Sequence, residues 1–213
     1  MRVPYLASYN AREFMEFHIK FDVLSGQSVR LEPIDESHID GLFEAGKTHS
    51  DWQYLPIPGF SDIDEVRAWY HQAKKLLEAD MHYTYVLIEP ASNEVIGSSR
   101  YMNVRARDLA LEIGYTWIGS KYQRTAINTE AKLLLLTNAF ESMNSNRVEL
   151  KTDARNIRSQ RAIERVGATR EGVLRNHMVA QGGFVRDTVM YSIIKSEWPA
   201  VKENLTSKLR SYA

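Results

Sequence analysis

The stretch LALEIGYTWIGSKYQRTAINT, which runs from Leu109 to Thr129, decides the fold. Residues 109–118 are rich in β-branched, aromatic and aliphatic side chains and predict a β-strand. A loop of small and polar residues then leads directly into an apolar segment that predicts a helix from about Asn128 to Met143. A strand, a loop and a helix in this order are typical of a mixed α/β sheet with helices on its faces.

The predicted strand has two unequal faces, because side chains alternate with a period of two. The bulky face comprises Leu109, Leu111, Ile113, Tyr115 and Trp117, and the small face comprises Ala110, Glu112, Gly114 and Thr116. Glu112 is the only acid on the small face, where a ligand has room to lie against the strand. Glu112 is therefore a candidate base that removes a proton. The alternative is a surface acid on a solvent-exposed strand.

The loop from Gly119 to Thr129 is a candidate anion site. The first turn of the following helix has free backbone N–H groups and the positive end of the helix dipole, and phosphates bind such ends. Lys121 and Arg124 add positive charge. The alternative is an ordinary strand-to-helix connection with Asn128 as the N-cap.

A second helix, from Asn156 to Val166, ends at Gly167, which suits a left-handed cap. Ser159 shares the inward face of this helix with Ala162, Ile163 and Val166, and Asn156 lies one turn earlier. Both polar groups can hydrogen-bond a ligand at the helix start. Alternatively, Asn156 caps the helix and Ser159 bonds a backbone carbonyl.

Further elements extend this centre into a single domain from residue 24 to residue 213, preceded by an N-terminal arm of residues 1–23. Strands are predicted at residues 29–33, 83–88, 95–104, 147–152, 172–177 and 184–194. Helices are predicted to end near Lys47, to begin near Asp62 and to span about Glu197–Arg210, with a short one around Glu13–Ile19.

Composition excludes several classes of protein. The chain has 213 residues, a formal net charge of zero and no cysteine. It therefore has no disulfide framework and no thiolate metal site, and a main affinity for nucleic acid or an anionic membrane is not expected. The histidines lack metal-site spacing, and no phosphate-loop, dinucleotide or serine-hydrolase motif is present. The longest apolar run, Leu133–Leu136, is too short to span a membrane, so we expect a cytoplasmic protein.

Four strings in register resemble the GNAT superfamily of N-acetyltransferases, and most closely its ribosomal-protein N-terminal acetyltransferase branch. These strings are VRLEP (29–33), LEIGY (111–115), YQRTAINTEA (122–131) and NIRSQRAIERVGA (156–168). The resemblance extends from about Gly26 to Pro199. It implies a twisted, mostly antiparallel sheet that is splayed between its two central strands and flanked by helices.

The resemblance also implies acetyl-CoA as co-substrate and no metal. The implied acetyl-CoA-binding residues are Ile118, Gln123, Arg124, Thr125, Ala126, Ile127, Asn128, Thr129 and Asn156. Ala126 and Asn128 depart from the family's loop pattern, and Asn128 places a side chain where backbone approaches pyrophosphate. We expect binding to persist, with reduced strength.

The implied reaction is direct acetyl transfer to a primary amine, including a protein N-terminal α-amine. Glu112 acts as the base. Many relatives have a tyrosine that protonates the leaving thiolate, and Ile163 stands in its place here, so Ser159 is the group expected to donate a hydrogen bond to the thiolate. One alternative acceptor is a small amine (an antibiotic, a polyamine or an amino acid) in a pocket walled by Trp52 and Tyr54. Another alternative is a CoA-binding regulatory module with weak catalysis. A monomer or homodimer without nucleic acid or membrane partners is expected.

Overall fold

The computed structural model describes residues 17–48 and 52–212, and one sheet dominates it. Its strands are β1 (Leu24–Ser25), β2 (Arg30–Pro33), β3 (His82–Ile88), β4 (Val95–Arg105), β5 (Ala110–Ile118), β6 (Arg147–Asp153), β7 (Thr169–Val179) and β8 (Val185–Ile194). The spatial order is β1-β2-β3-β4-β5-β6-β8-β7. Neighbouring strands are antiparallel except β5 and β6, which are parallel.

Five α-helices cover the two faces of the sheet in the described part of the chain. They are α1 (Ile39–Gly46), α2 (Ile63–Glu78), α3 (Ile127–Thr137), α4 (Ile157–Val166) and α5 (Trp198–Arg210). Helices α1 and α2 contribute to a smaller apolar core on one face, and α3, α4 and α5 to a larger core on the other. As predicted, Gly167 ends α4 with a φ of 109°. No helix within the described ranges is long and apolar enough to cross a membrane.

Helix α3 differs from its prediction at both ends. Its N-cap is Ala126 rather than Asn128, and its α-helical part ends at Thr137. The chain continues to Ser142 as a π-helical segment. Asn138 opens that segment and donates a hydrogen bond from Nδ2 to the carbonyl of Lys20 at 2.8 Å.

Residues 17–23 pack against the domain. Phe17 is part of the larger core, and the ring of Phe21 meets those of Tyr83 and Tyr85 edge to face. The other residues of the predicted arm, and the start of the short helix predicted at Glu13–Ile19, lie outside the described residues. The described end of that segment is not helical.

Glu130 in α3 holds the turn between β1 and β2. Its carboxylate accepts hydrogen bonds from the backbone N–H groups of Gln27, Ser28 and Val29 at 2.9, 2.5 and 2.9 Å. The turn also approaches the helix closely, because a Cβ on Gly26 would lie 2.5 Å from the Glu130 carboxyl carbon.

A β-bulge in β5 changes which face its side chains occupy. Tyr115 has a φ of 50°, and the register with β4 shifts between Ser98 and Arg100. The predicted faces are therefore wrong beyond Gly114. Trp117 packs in the smaller core, and the hydroxyl of Thr116 meets α3 on the opposite face. A bulge adds one residue to a strand and so reverses the alternation that follows it.

Candidate active site

A cleft passes through the sheet where β5 and β6 separate. Within the described residues, β5 and β6 pair at three positions only: Ala110–Arg147, Leu111–Val148 and Glu112–Glu149. Beyond Glu112 they diverge, which confirms the predicted splay. The opening has a volume of about 600 Å³ and is lined by residues from both faces of the sheet.

The cleft has two ends, which we name by their neighbouring elements. The helix end lies beside α3 and α4 and is lined by Gln123, Arg124, Thr125, Asn128, Thr129, Lys132, Asn156, Arg158 and Ser159. The hairpin end lies beside the β7–β8 hairpin and is lined by Tyr54, Leu55, Pro56, Glu112, Lys151, Met178 and Arg186.

At the helix end, Gln123 connects the loop to both neighbouring elements. Its Nε2 donates to the carbonyl of Ile118 at 2.9 Å, and its Oε1 accepts from Arg158 at 2.9 Å. Ala126 and Ile127 do not line the cleft, because Ala126 is the N-cap of α3 and Ile127 is buried in the core. The side chain of Ile127 therefore does not face a ligand in the cleft. The first turn of α3 still presents backbone N–H groups at this end.

At the start of α4, the side chain of Asn156 is hydrogen-bonded within the helix, whereas that of Ser159 is not. The Asn156 Oδ1 accepts a hydrogen bond from the backbone N–H of Ser159 at 3.0 Å and so caps the helix. The Ser159 hydroxyl makes no hydrogen bond to any residue in the described ranges, although it lines the cleft. It is therefore available to a ligand.

Glu112 lies at the hairpin end and is almost completely buried, with 1% of its surface exposed. Its Oε2 accepts hydrogen bonds from Asn103 Nδ2 at 2.7 Å and from Lys151 Nζ at 3.0 Å. Its Oε1 lies over Gly114, 2.9 Å from the position that a Cβ would take. Part of the space expected on the small face of β5 is thus filled by the carboxylate of Glu112 itself.

Two buried basic residues also line the cleft. The sequence alone did not single them out. Lys132 donates to the Thr116 hydroxyl at 2.7 Å, and burial lowers its pKa to about 7. Arg186 donates from Nε to the Thr188 hydroxyl at 3.1 Å and from Nη1 to the carbonyl of Tyr54 at 3.4 Å. Burial also lowers the pKa of Arg186. The available signal for Lys132 was a lone charge directly before the apolar run of residues 133–136.

Gln181, in the turn between β7 and β8, fastens the loop that follows α1 over the hairpin end. Its Nε2 donates to the carbonyls of Trp52 (3.1 Å), Leu55 (2.6 Å) and Ile57. Tyr54 in this loop lines the cleft.

Trp52 does not line the cleft, so its assignment to the pocket wall is wrong. Its indole N–H donates to the carbonyl of Gly46 at 2.7 Å, and its ring packs against Phe60 and Trp117. With 1% of its surface exposed, it is a core residue that anchors the loop.

Comparison with known proteins agrees with this geometry. Residues 28–169 match the family model described as an acetyltransferase (GNAT) domain, and the chain belongs to this family of N-acetyltransferases. The solved structure of a GCN5-related N-acetyltransferase from Brucella melitensis superposes with a TM-score of 0.84 and 31% identity, over 89% of this chain and 86% of that one.

Two curated relatives are also similar. The uncharacterized N-acetyltransferase p20 of Bacillus licheniformis is 27% identical over 68% of this chain and 81% of its own. The Bacillus subtilis (strain 168) protein named "Putative ribosomal N-acetyltransferase YdaF" is 37% identical over 43% of this chain and 49% of its own. The predicted resemblance to GNAT enzymes, with their ribosomal branch among the relatives, is confirmed.

Proposed function

We propose that this protein transfers an acetyl group from acetyl-CoA directly to a primary amine, and that the amine is a protein N-terminal α-amine. One observation carries the proposal. A single cleft joins the amino end of α3, on one face of the sheet, to the buried carboxylate of Glu112, on the other. Donor and acceptor can therefore enter from opposite faces and meet between β5 and β6.

The helix end fits acetyl-CoA. Its phosphates would meet the backbone N–H groups in the first turn of α3 and the exposed cations Arg124 and Arg158, which line the cleft. The open edge of β5 near Ile118 and the start of α4 at Asn156 would hold the pantetheine arm. Because Asn156 Oδ1 is engaged in the helix cap, its Nδ2 is the group left for that contact.

Acetyl-CoA supplies an acetyl group activated as a thioester, and the chain supplies the proton transfers. Glu112 Oε1 takes a proton from the acceptor ammonium, while Lys151 and Asn103 hold Oε2 in place. Ser159, whose hydroxyl is available, donates a hydrogen bond to the sulfur as negative charge develops there. The amine nitrogen bonds to the acetyl carbon as the carbon–sulfur bond breaks, and the departing thiolate takes up the second proton of the amine. No covalent enzyme intermediate is needed.

The acceptor assignment has two supports. One relative carries the name "Putative ribosomal N-acetyltransferase YdaF". The hairpin end is lined by residues 54–56 and by Lys151 of β6, which leaves room for an extended peptide terminus between a loop and a strand. The proposal includes one catalytic domain from residue 24 onward and action in the cytoplasm.

An acetylation assay tests the proposal. The purified chain is incubated with labelled acetyl-CoA and three acceptors: a peptide with a free N-terminus, the same peptide with a blocked N-terminus and a free lysine, and a mixture of small amines. We expect label on the free N-terminus. Label on the lysine or the small amines alone would contradict the acceptor assignment.

A thermal-melt series with CoA separates binding from catalysis. A ligand at a hundred times its Kd stabilises the folded state by about 2.7 kcal/mol, so the melting temperature should rise with CoA concentration. An unchanged melting temperature at millimolar CoA would contradict the donor assignment.

A further inference from the structure

We infer that the acceptor carries a carboxylate beside its amine and that Arg186 binds this carboxylate. The inference rests on the proposed function for the amine and names the class of acceptor. It starts from the guanidinium of Arg186, which lines the hairpin end with only 6% of its surface exposed.

Arg186 has hydrogen bonds but no counter-ion among the described residues. Its contacts are a hydroxyl (Thr188) and a carbonyl (Tyr54), both neutral. Asp153 is the acid with the strongest influence on it, but Arg155 occupies both carboxylate oxygens at 3.0 and 2.7 Å. Within the described residues Arg186 forms no ion pair, and burial of an unpaired charge is costly.

The missing anion is not a phosphate of CoA, because Arg186 lies on the wrong face of the sheet. Val189, Tyr191 and Ile193 of β8 belong to the larger core beneath α3 and α4. Side chains alternate along a strand, so Thr188, which binds Arg186, lies on the opposite face. Arg186 also reaches Tyr54 in the loop over the hairpin end.

The charges around Glu112 leave a positive excess. Glu112 pairs with Lys151 at 3.0 Å, and Asp153 pairs with Arg155. Arg100 is a second buried cation without an ion pair among the described residues, and its Nε has no hydrogen-bond partner. Arg100 stacks over the Tyr115 ring at 4.4 Å, which places it beside the cleft.

The excess of positive charge also lowers the pKa of a nearby histidine. The pKa of His82 is lowered to about 4 by burial and by the charges of Arg100 and Lys151. Its Nδ1 accepts from Arg100 Nη1 at 3.1 Å, so the ring is neutral and leaves the charge of Arg100 unbalanced.

This charge pattern selects among acceptors. Polyamines and aminoglycosides carry several ammonium groups, and a cation-lined site repels them. An amine with a nearby carboxylate offsets the excess instead. The same positive potential favours the neutral form of the acceptor amine, which is its nucleophilic form. The carboxylate can come from the α-carboxyl group of a free amino acid or from an acidic side chain next to a peptide N-terminus.

A binding experiment tests the inference without requiring turnover. The CoA-loaded protein is titrated calorimetrically with three peptides that differ only at positions two and three: Ser-Glu-Glu, Ser-Gln-Gln and Ser-Lys-Lys, each with the same neutral tail. Free glutamate and its diamide form the small-molecule arm. We expect the acidic peptide to bind about ten- to a hundred-fold tighter than the glutamine peptide, and the lysine peptide to bind weakest.

Variants assign the preference to Arg186. Arg186→Gln should reduce the ratio between acidic and neutral peptides to near one, and Arg186→Lys should retain most of it. The control Arg67→Gln removes an exposed arginine of α2 outside the cleft and should keep the wild-type ratio.

The outcomes are distinct. Equal binding of acidic and neutral acceptors in both arms overturns the inference. An Arg186→Gln protein that loses all peptides equally and melts lower also overturns it, because Arg186 is then only a structural tie to the loop. If free glutamate binds well and the peptides do not, the carboxylate belongs to an amino acid. Charge-selective binding without acetylation contradicts the proposed function but supports this inference.

Discussion

The two ends of the cleft hold their charged groups in different ways. At the helix end, the cations Arg124 and Arg158 are exposed, and backbone N–H groups and small polar side chains such as Ser159 supply further donors. At the hairpin end, Glu112 and Arg186 are buried and fixed by several hydrogen bonds. Exposed charges contribute little individually, whereas a buried charge is costly to leave unpaired. Single charge substitutions should therefore have smaller effects at the helix end than at the hairpin end.

The largest effect should come from Glu112→Gln at the hairpin end. The amide cannot accept the proton, so turnover should fall by about 10²–10⁴-fold while CoA binding is retained. The loss should shrink above about pH 8, where the acceptor α-amine is already neutral. Steady-state rates from pH 6 to 10 measure this. A variant with full activity at neutral pH would remove Glu112 from the mechanism.

Ser159→Ala tests the start of α4 at the helix end. A hydrogen bond to a charged group contributes about 1.5–3 kcal/mol, so acetyl transfer should slow by about ten- to a hundred-fold in single-turnover measurements. CoA affinity should change little, because the bond strengthens only as charge develops. Weaker CoA binding with unchanged saturated turnover would make Ser159 a ground-state ligand and assign the thiolate to another group.

Lys132 is an exception at the helix end, because its amine is buried without a carboxylate partner in the described chain. Its folded pKa of about 7 lies below the unfolded value of about 10.4, so the unfolded state binds more protons between these pH values. The free energy of unfolding should therefore rise with pH in this window, by up to about 1.4 kcal/mol per unit relative to Lys132→Met.

Urea unfolding at pH 7, 8 and 9 measures this difference. Lys75→Met, which removes an exposed lysine of α2, is the control and should follow the wild-type curve. Parallel pH curves for wild type and Lys132→Met would contradict a neutral Lys132 in the folded state.

The smallest effect should come from Arg124→Gln at the helix end. An exposed ion pair contributes about 0.2–1 kcal/mol, so KM for acetyl-CoA should rise by about two- to five-fold with kcat unchanged. Added salt should reduce the difference. Arg107→Gln, at an exposed position outside the cleft, is the matched control. A hundred-fold loss with Arg124→Gln would show that this end depends on a single side chain, contrary to the comparison.

The sequence was sufficient to predict the elements that depend on local residue type and spacing. The boundaries of β5, the polar loop and the Gly167 cap follow from residue type and spacing. Glu112, Asn156 and Ser159 line the cleft, and their positions could be predicted because each occupies a defined place on a strand or helix; their roles stay predictions. The bulge at Tyr115 could not be found in this way, because it depends on how β5 pairs with β4. Trp52 was misassigned because its burial depends on Phe60 and Trp117, which are distant in sequence.

The hydrogen bonds between Glu130 and the turn before β2 also affect when this turn can fold during protein synthesis. Glu130 lies 101 to 103 residues after the amides that it binds. At about 5–20 residues per second, a ribosome needs about 5–20 s to make the intervening chain. During that time the amides of residues 27–29 are without their acceptor. A nascent chain that stalls before Glu130 should therefore leave this turn open to proteolysis, while a chain released after α3 can close it.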